Sequence, residues 1–585
     1  MVRSLDRRTL FGAALTALAA LAVYGWTVGF DFIFDDHIQI ERNPWLRDPE
    51  GFRLFLTRPF WGFYPDRGPG PSNYYRPAFG IFYSLLARTC GLQPAAFHAA
   101  SVVLHGAVCL LVAFGARRLV GTDAAALVAG LLFAVYPAHA EAVAWVGGQA
   151  DLLMALFGLI ALLAYLVYKD GARPAVLAVA GPVAYLLACL SKEPGAALIL
   201  VLGAVEASEW RREGSTGAAV RRASARLLPY LAVLALYVTL RVHALGGFAP
   251  RHYPVTSSLA GTVAFGGALL ARYLAFLVFP FPARVIAWVA PPSLLSPVAL
   301  AGLLAAVLAL LGMAAAAWSG RARREIVVPL AVIVAFLLPT LAANSIGGAN
   351  FAERYLYLPS AGLAWLAGLL WSRLAGTIRT VRLRRAAIAA ALAGLVATAA
   401  AAGVRAGIYR DDLSLFQAAV KTTPQAEIAH NNLGMALYAR DRLDEAEREY
   451  REALRLRPGS VPPLANLGIL LERRGDIAGA KRTFEEVLRR APTHAAAAVH
   501  LARFQIQEGD RQGAARRLDA LFAAGGESYD ALVERADLYL QEDRPGAAIP
   551  LLERAVRTFP ERKRGRELLE RARGEKDVSR RVKVQ

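Results

Sequence analysis

Residues 10–37 read LFGAALTALAALAVYGWTVGFDFIFDDH. Leu10 to Phe30 form an apolar run of about 21 residues, long enough to cross a bilayer as a helix. The acidic cluster of Asp31, Asp35 and Asp36 follows it directly. Adjacent carboxylates at a membrane surface are costly, because desolvation and mutual repulsion both oppose ionisation, and that cost points to a task. Ala17-Leu18-Ala19 resembles a signal-peptidase site. The run stays apolar well beyond it, so residues 10–30 are read as an uncleaved first span. Arg3, Arg7 and Arg8 before the run put the amino terminus in the cytoplasm.

Working outward, the whole chain is apolar: 56% of its 585 residues are hydrophobic and its mean hydropathy is +0.38. Lys and Arg number 66 against 46 Asp and Glu, a net charge of +20. Much of that excess lies in short loops between apolar runs, so it reports membrane topology and excludes a nucleic-acid partner as the simplest reading. The three cysteines have no metal-binding spacing, and Cys109 and Cys189 lie inside apolar runs as packing residues.

Further spans are expected at about 97–116, 123–140, 150–168, 174–190, 194–210, 227–243, 298–318, 326–345, 358–374 and 386–404, eleven in all. Arg117/Arg118, Lys169/Arg173, Arg211/Arg212 with Arg221/Arg222/Arg226, Arg321/Arg323/Arg324 and Arg373 to Arg385 then share the cytoplasmic side with Arg3. Residues 262–281 are read as interfacial or re-entrant, since one more crossing would invert every later basic loop. An odd number of spans puts the carboxyl-terminal part on the outer side, together with a long first outer loop, residues 31–96.

The character changes after residue 405. Asn432-Leu433-Gly434 recurs 34 residues later as Asn466-Leu467-Gly468, and Pro424, Pro458 and Pro492 keep the same interval. This is the period of tetratricopeptide helix pairs, in which small residues let paired helices approach and large ones fill the next gap. Repeats are expected at 425–458 and 459–492, with degenerate copies at 493–526 and 527–560 and a truncated leading half at 411–424. The chain thus divides into an all-α membrane part, 1–405, and a repeat α-solenoid, 406–585, with a basic tail.

The polar residues of the membrane part gather on the outer side: Asp35, Asp36, Arg76, His98, His105, His139, Glu141, Gln149, Asp151, Lys192, Glu193, Glu353 and Arg354. Any one of these is ordinary for a loop end. Their shared side follows from a topology read on other residues, and together they form a candidate site. A carboxylate can take a proton from a hydroxyl, while Arg and Lys can hold a phosphate and stabilise it as it leaves. Glu193 could equally pair with Lys192, Glu353 with Arg354, and the two histidines 98 and 105 could be interhelical hydrogen-bonders.

The ordered set Phe34-Asp35-Asp36, Tyr75-Arg76-Pro77, Phe97-His98 with His105, Pro137 to Val143, Gly148 to Leu153, Ser191-Lys192-Glu193 and Ala352 to Ser360 resembles the TMTC family, the transmembrane and tetratricopeptide repeat-containing O-mannosyltransferases. More distantly the chain resembles protein O-mannosyltransferases and oligosaccharyltransferase catalytic subunits, which implies a polytopic GT-C-type bundle. The resemblance implies that Asp35 or Asp36 is the base, with Asp35 favoured. Arg354, Lys192 and Arg76 would contact a donor phosphate. His139, Glu141, Gln149, Asp151, Glu193 and Glu353 would shape the pocket for sugar and acceptor. That family usually reads Gly-Arg-Ala-Asp where this chain has Gly148-Gln149-Ala150-Asp151, so one positive charge is absent here.

The expected function is therefore transfer of a sugar, mannose by resemblance, from a polyprenyl-phosphate donor to a hydroxyl of a protein or other acceptor on the outer face. The repeats would recruit the acceptor peptide. No cofactor or metal site is expected, although a divalent cation is compatible with adjacent carboxylates. The Ala- and Arg-rich, Lys-poor composition points to a bacterial inner membrane with periplasmic repeats, or to an endoplasmic reticulum membrane with luminal repeats in a eukaryote. A membrane-anchored tetratricopeptide scaffold for envelope assembly is the competing class, and a coupled transporter is a third.

Overall fold

The computed structural model describes residues 7–64, 72–171, 175–209, 216–248, 258–283, 285, 292–293, 295–319, 323–341, 351–559 and 562–584. Arg3, Arg173, Arg211, Arg212 and Arg321, used above, lie outside them, as do residues 344–350 of the loop before Glu353. The chain divides into two compact units, Met1–Thr423 and Pro424–Gln585. Among the described residues every regular element is helical.

Unit 1 opens with α1 (Arg7–Tyr24), and the first outer loop then folds as two helices, α2 (Gly51–Thr57) and α3 (Pro77–Cys90). These pack around an aromatic core that includes Phe32, Phe55, Phe60, Phe79, Tyr83 and Phe97. Helix α4 (Pro94–Val120) follows, capped by Gly121 in the left-handed region, and α5 (Asp123–Ala134) starts on a Thr122 side-chain cap. Pro137, which lacks a backbone donor, ends that run, and the short α6 (Ala140–Ala144) leaves at 50° to α5.

Next come α7 (Gln149–Lys169), α8 (Ala175–Ser191), α9 (Leu198–Glu209), α10 (Thr216–Leu245), α11 (Leu259–Val278), α12 (Pro297–Ser319), α13 (Arg323–Leu341), α14 (Pro359–Thr377), α15 (Val381–Ala406) and α16 (Asp412–Thr422). Small residues set the helix spacing. A Cβ on Gly302 of α12 would lie 1.8 Å from the carbonyl oxygen of Gly267 on α11, and one on Gly368 of α14 would lie 2.7 Å from that of Ala125 on α5. Cys109 and Cys189 are buried, as packing residues would be.

Among the described residues seven helices are long and apolar enough to cross a membrane, or eight if the bent α5–α6 pair is one span. The eleven segments expected are thus not all full-length helices. Helix α8 has 17 residues and α9 only 12, because a 3-10 turn over Glu193–Ala197 precedes it. Conversely, most of residues 262–281, read above as interfacial or re-entrant, is long and apolar enough to cross. Residues 262–278 belong to α11, an unbroken helix of 20 residues that ends before Phe279, about 30 Å long at the α-helical rise and so able to span.

Unit 2 is a run of helix pairs: α17 (Glu427–Ala439) with α18 (Leu443–Leu456), α19 (Val461–Arg473) with α20 (Ile477–Arg490), α21 (Ala495–Gln507) with α22 (Arg511–Ala523), α23 (Tyr529–Gln541) with α24 (Pro545–Thr558), and a final α25 (Lys563–Val584). Each expected repeat is one pair, including the two of degenerate sequence. The turn inside every pair carries a residue at positive φ: Asp441 (61°), Gly475 (83°), Gly509 (85°) and Asp543 (53°). These lie 34 residues apart and are Gly or Asp, the types that tolerate this conformation best. The expected leading half-repeat is present as α16, but it packs with unit 1, so the division between compact units falls at Thr423 rather than at residue 405.

Candidate functional site

The acidic loop is a tight turn built on Phe34, whose φ of 51° is rare for a bulky residue. Asp36 is fully buried and fastens the turn, accepting the Ile33 N–H at 3.3 Å and the Gly147 N–H at 2.9 Å. Burial holds its carboxyl well above the usual carboxylate range, and the neighbouring Asp35 charge pushes the same way, despite the two backbone donors. Asp35 is half-buried, and its carbonyl starts the next short helix by accepting from the Ile38 and Gln39 amides. His37 bridges Glu41 (2.7 Å) and Asp412 (3.1 Å), and Asp412 also accepts the Phe34 N–H at 2.8 Å. The hydrogen bond to Asp412, with help from Glu41, raises the His37 pKa to about 9 against the opposing effect of burial.

Three ion pairs stand together close to this loop. Lys192 Nζ lies 2.5 and 2.6 Å from the two carboxylate oxygens of Asp151, both residues being buried. Arg76 grips Glu193 through Nε (3.0 Å) and Nη2 (2.9 Å), with Arg241 Nη1 3.7 Å from the other oxygen. Arg354 is held twice by Glu141, which accepts its backbone N–H at 2.9 Å and its guanidinium Nη1. The Tyr355 ring lies between two of the pairs, 5.0 Å from Lys192 Nζ and 5.1 Å from the Arg354 Cζ. Burial lowers the Lys192 pKa to about 8 against the attraction of Asp151, and the charges of Arg354 and Arg76 push it down further.

Trp145 connects the loop and the ion pairs. Its ring lies 5.1 Å from the Arg354 guanidinium and 6.3 Å from the Phe34 ring, next in sequence to Asp35. Its indole N–H is buried and has no partner among the described residues. Arg76 Nη1 and the Nε and Nη2 groups of Arg354 likewise make no hydrogen bond there, so both guanidinium groups keep donors beyond those committed to carboxylates.

The remaining candidates divide between this cluster and its surroundings. Glu141, Asp151 and Glu193 are inside it. Glu353 is buried behind it, paired at 3.0 Å with Arg405 from the last turn of α15. His139 donates to or accepts from Ser360 at 2.7 Å in an aromatic nest of Phe133, Tyr136 and Tyr357, so it supports the fold and does not face the ion pairs. Gln149 turns its amide into α4, donating to the Phe97 carbonyl (2.6 Å) and Ser101 Oγ (2.8 Å), and it does not take the place of an arginine in a phosphate cradle.

His98 and His105 are buried hydrogen-bonders, to the Asp31 carbonyl and to Tyr357. The neighbour pairings Glu193 with Lys192 and Glu353 with Arg354 do not occur. Lys192 is extended (φ −158°, ψ 142°), which points consecutive side chains to opposite sides. Glu353 and Arg354 lie in a 3-10 turn, which fans adjacent side chains about 120° apart.

Trp145, Arg241, Arg405 and Asp412 belong to this region without having been singled out as site residues from sequence. Only Arg405, an isolated charge at the end of an apolar run, carried a visible signal. Among the described residues no three His, Cys, Asp or Glu side chains converge as a metal site.

A bundle of long apolar helices with buried ion pairs at its loops, continued by tetratricopeptide pairs, defines a multi-pass membrane protein with a repeat domain. Tetratricopeptide repeat family models match residues 404–461 and 471–536. The chain is 27% identical over 476 residues to the mouse (Mus musculus) protein O-mannosyl-transferase TMTC4, a match covering 72% of this chain and 63% of that one. It is 35% identical over 152 residues to Xenopus laevis protein O-mannosyl-transferase tmtc2, covering 26% and 18%. By these matches the chain is similar to the TMTC proteins over most of its length, and it spans a little under two thirds of the length of TMTC4. An oligosaccharyltransferase from Archaeoglobus fulgidus, tethered to an acceptor peptide in its crystal, aligns over 68% of this chain and 55% of its own, with 16% identity and a TM-score of 0.41.

Proposed function

We propose that the protein is a membrane glycosyltransferase that moves a sugar, mannose by analogy with its relatives, from a polyprenyl-phosphate donor to a hydroxyl on an acceptor polypeptide. The observation that carries this reading is the pair of guanidinium groups, Arg76 and Arg354, that flank Lys192 and keep donors beyond those used by Glu193 and Glu141. Carboxylates fix the direction of each cation, and the remaining N–H groups can take the oxygens of a phosphate. Trp145 joins this cradle to the Asp35 turn, which supports one site holding both a leaving group and a base.

In the reaction, the acceptor oxygen bonds to the anomeric carbon as that carbon's bond to phosphate breaks. Asp35 takes the hydroxyl proton, and Arg76, Arg354 and Lys192 stabilise the departing polyprenyl phosphate. Asp36, buried and bound to two backbone amides, holds the turn in shape. The outer-face location, periplasmic in a bacterium, and recruitment of the acceptor by unit 2 belong to the same proposal.

The test is release of free polyprenyl phosphate from polyprenyl-phosphate-mannose by purified protein supplied with an envelope-protein extract. Release that needs the extract and disappears in Asp35→Asn supports the reading. Full release in Asp35→Asn and in Arg354→Gln would sink it. No release with any lipid-linked sugar would favour the scaffold class.

A further inference from the structure

The Trp145 indole is fixed from three sides without use of its N–H. The ring folds back over Gly147: a Cβ there would stand 2.6 Å from its Cε2 and Cζ2 atoms and 3.0 Å from Nε1, so only glycine permits the contact. The edge of the indole that carries the N–H therefore lies beside Gly147, whose own amide donates to Asp36 at 2.9 Å. Cζ of Arg354, which also has the Tyr355 ring beside it, stands 5.1 Å from the indole centre, and the Phe34 ring stands 6.3 Å away on the acidic turn. The residue as a whole is half-buried, so part of its surface is open, while Nε1 is buried with no partner among the described residues.

A buried indole N–H usually finds an acceptor, because it can only donate and leaving it unbonded costs free energy. Given the glycosyltransferase reading, on which the following assignment rests, that acceptor has a place. The incoming hydroxyl and the departing phosphate both bond to the anomeric carbon. With the base on the turn of Phe34 and the phosphate at Arg354, the sugar lies between them, alongside Trp145. The negative face of an aromatic ring suits the C–H groups of a pyranose, and the hydroxyls of the sugar supply acceptor oxygens. A phosphate oxygen is the poorer partner, since Arg76, Lys192 and Arg354 offer it charged donors, which bind it more strongly.

We infer that Trp145 recognises the transferred sugar, its ring packing on the pyranose and its indole N–H donating to one of the sugar's hydroxyls. Gly147 holds both the ring and Asp36, so the sugar platform and the acidic turn keep a fixed relation. Recognition through the sugar also bears on turnover. The contact exists with the glycosylated lipid and is absent with bare polyprenyl phosphate, so the product binds more weakly than the donor and leaves.

The test measures the affinity of the full-length protein in detergent for polyprenyl phosphate and for the same lipid bearing mannose, glucose or N-acetylglucosamine. Trp145→Phe keeps a ring and removes the N–H. It is expected to bind polyprenyl phosphate as the wild type does, which also shows that the cradle is intact, and to bind the preferred sugar lipid about fivefold more weakly, as for one lost hydrogen bond. With the monodeoxy analogue that lacks the contacted hydroxyl, wild type and variant are expected to bind alike, a convergence that a merely structural role would not produce. Equal weakening toward bare and glycosylated lipid assigns the N–H to the phosphate and overturns the inference. Unchanged affinity for the sugar lipid, or a gap that persists across every monodeoxy analogue, overturns it as well. In each of these cases release of polyprenyl phosphate by the wild type leaves the glycosyltransferase reading standing, whereas a wild type that binds no sugar lipid sinks both.

Discussion

Glu141 holds Arg354 at two points, through the backbone N–H at 2.9 Å and through the guanidinium, although 213 residues separate them. The carboxylate therefore sets both the backbone position and the side-chain direction of the cation. Glu141→Gln keeps the shape and removes the negative charge, and Arg354→Gln removes the positive charge together with the guanidinium. Each change is expected to destabilise by about 2 kcal/mol, as for a lost charge-assisted hydrogen bond. The double variant is expected to cost less than the sum by about 1–2 kcal/mol. Unfolding midpoints in detergent measure this, and strict additivity would mean the contact contributes nothing.

Lys192, with its pKa pushed down to about 8 by burial and by the charges of Arg354 and Arg76, loses its proton near the upper end of the physiological range. Donor binding that relies on its charge is expected to fall as pH rises through about 8. Lys192→Arg, which stays charged, is expected to hold donor affinity above pH 8 even if its maximum is lower. Affinity for polyprenyl-phosphate-mannose measured from pH 6 to 9.5 checks it, and parallel profiles for the two proteins would contradict it.

His37 gives a second pH dependence of opposite origin. Its folded pKa of about 9 lies above the value near 6.5 of the unfolded chain. The imidazolium bridge to Asp412 and Glu41 thus contributes fully below about pH 6.5 and is lost as pH rises through about 9. The Phe34 amide, which donates to Asp412, is expected to exchange hydrogen faster above pH 9 than the intrinsic rate predicts. His37→Gln is expected to abolish that extra acceleration.

In unit 2 a Cβ on Gly434 would stand 2.5 Å from the buried Tyr450 ring, and one on Gly468 would stand 2.7 Å from Phe484. Gly434→Ala is expected to destabilise the repeats by about 1–3 kcal/mol through overpacking, although alanine is the better helix former by about 1 kcal/mol. Adding Tyr450→Leu should recover part of the loss. Thermal unfolding followed by circular dichroism reads both variants, and a stabilised Gly434→Ala would show that the ring yields freely.

The repeats were legible because one interval recurs and each copy solves the same packing problem. The left-handed turn residues Asp441, Gly475, Gly509 and Asp543 keep that interval even where the helices have drifted. The site was legible as a set of residues and illegible as a set of contacts. Lys192 meets Asp151, 41 residues away, and Arg354 meets Glu141, 213 away. Nothing local selects those partners over the nearer Glu193 and Glu353; backbone direction in an extended residue and a 3-10 turn does. Trp145 carried no periodicity or charge to mark it, and its place between Phe34 and Arg354 is a tertiary fact. Residues 262–281 read as interfacial or re-entrant on the balance of basic loops, which carries no information about the length of the helix there.

Glu353, one residue before Arg354, is buried against Arg405 in the last turn of α15, and Arg405 also donates to the Pro280 carbonyl. Residues far apart on any linear map therefore form one genetic unit. In a screen for inactive alleles, substitutions at 405 would group with those at 353 and 354, and second-site suppressors of a Glu353 change would be found in α15. A truncation made at the natural-looking end of the apolar region would remove this anchor and read as a lesion of the site itself.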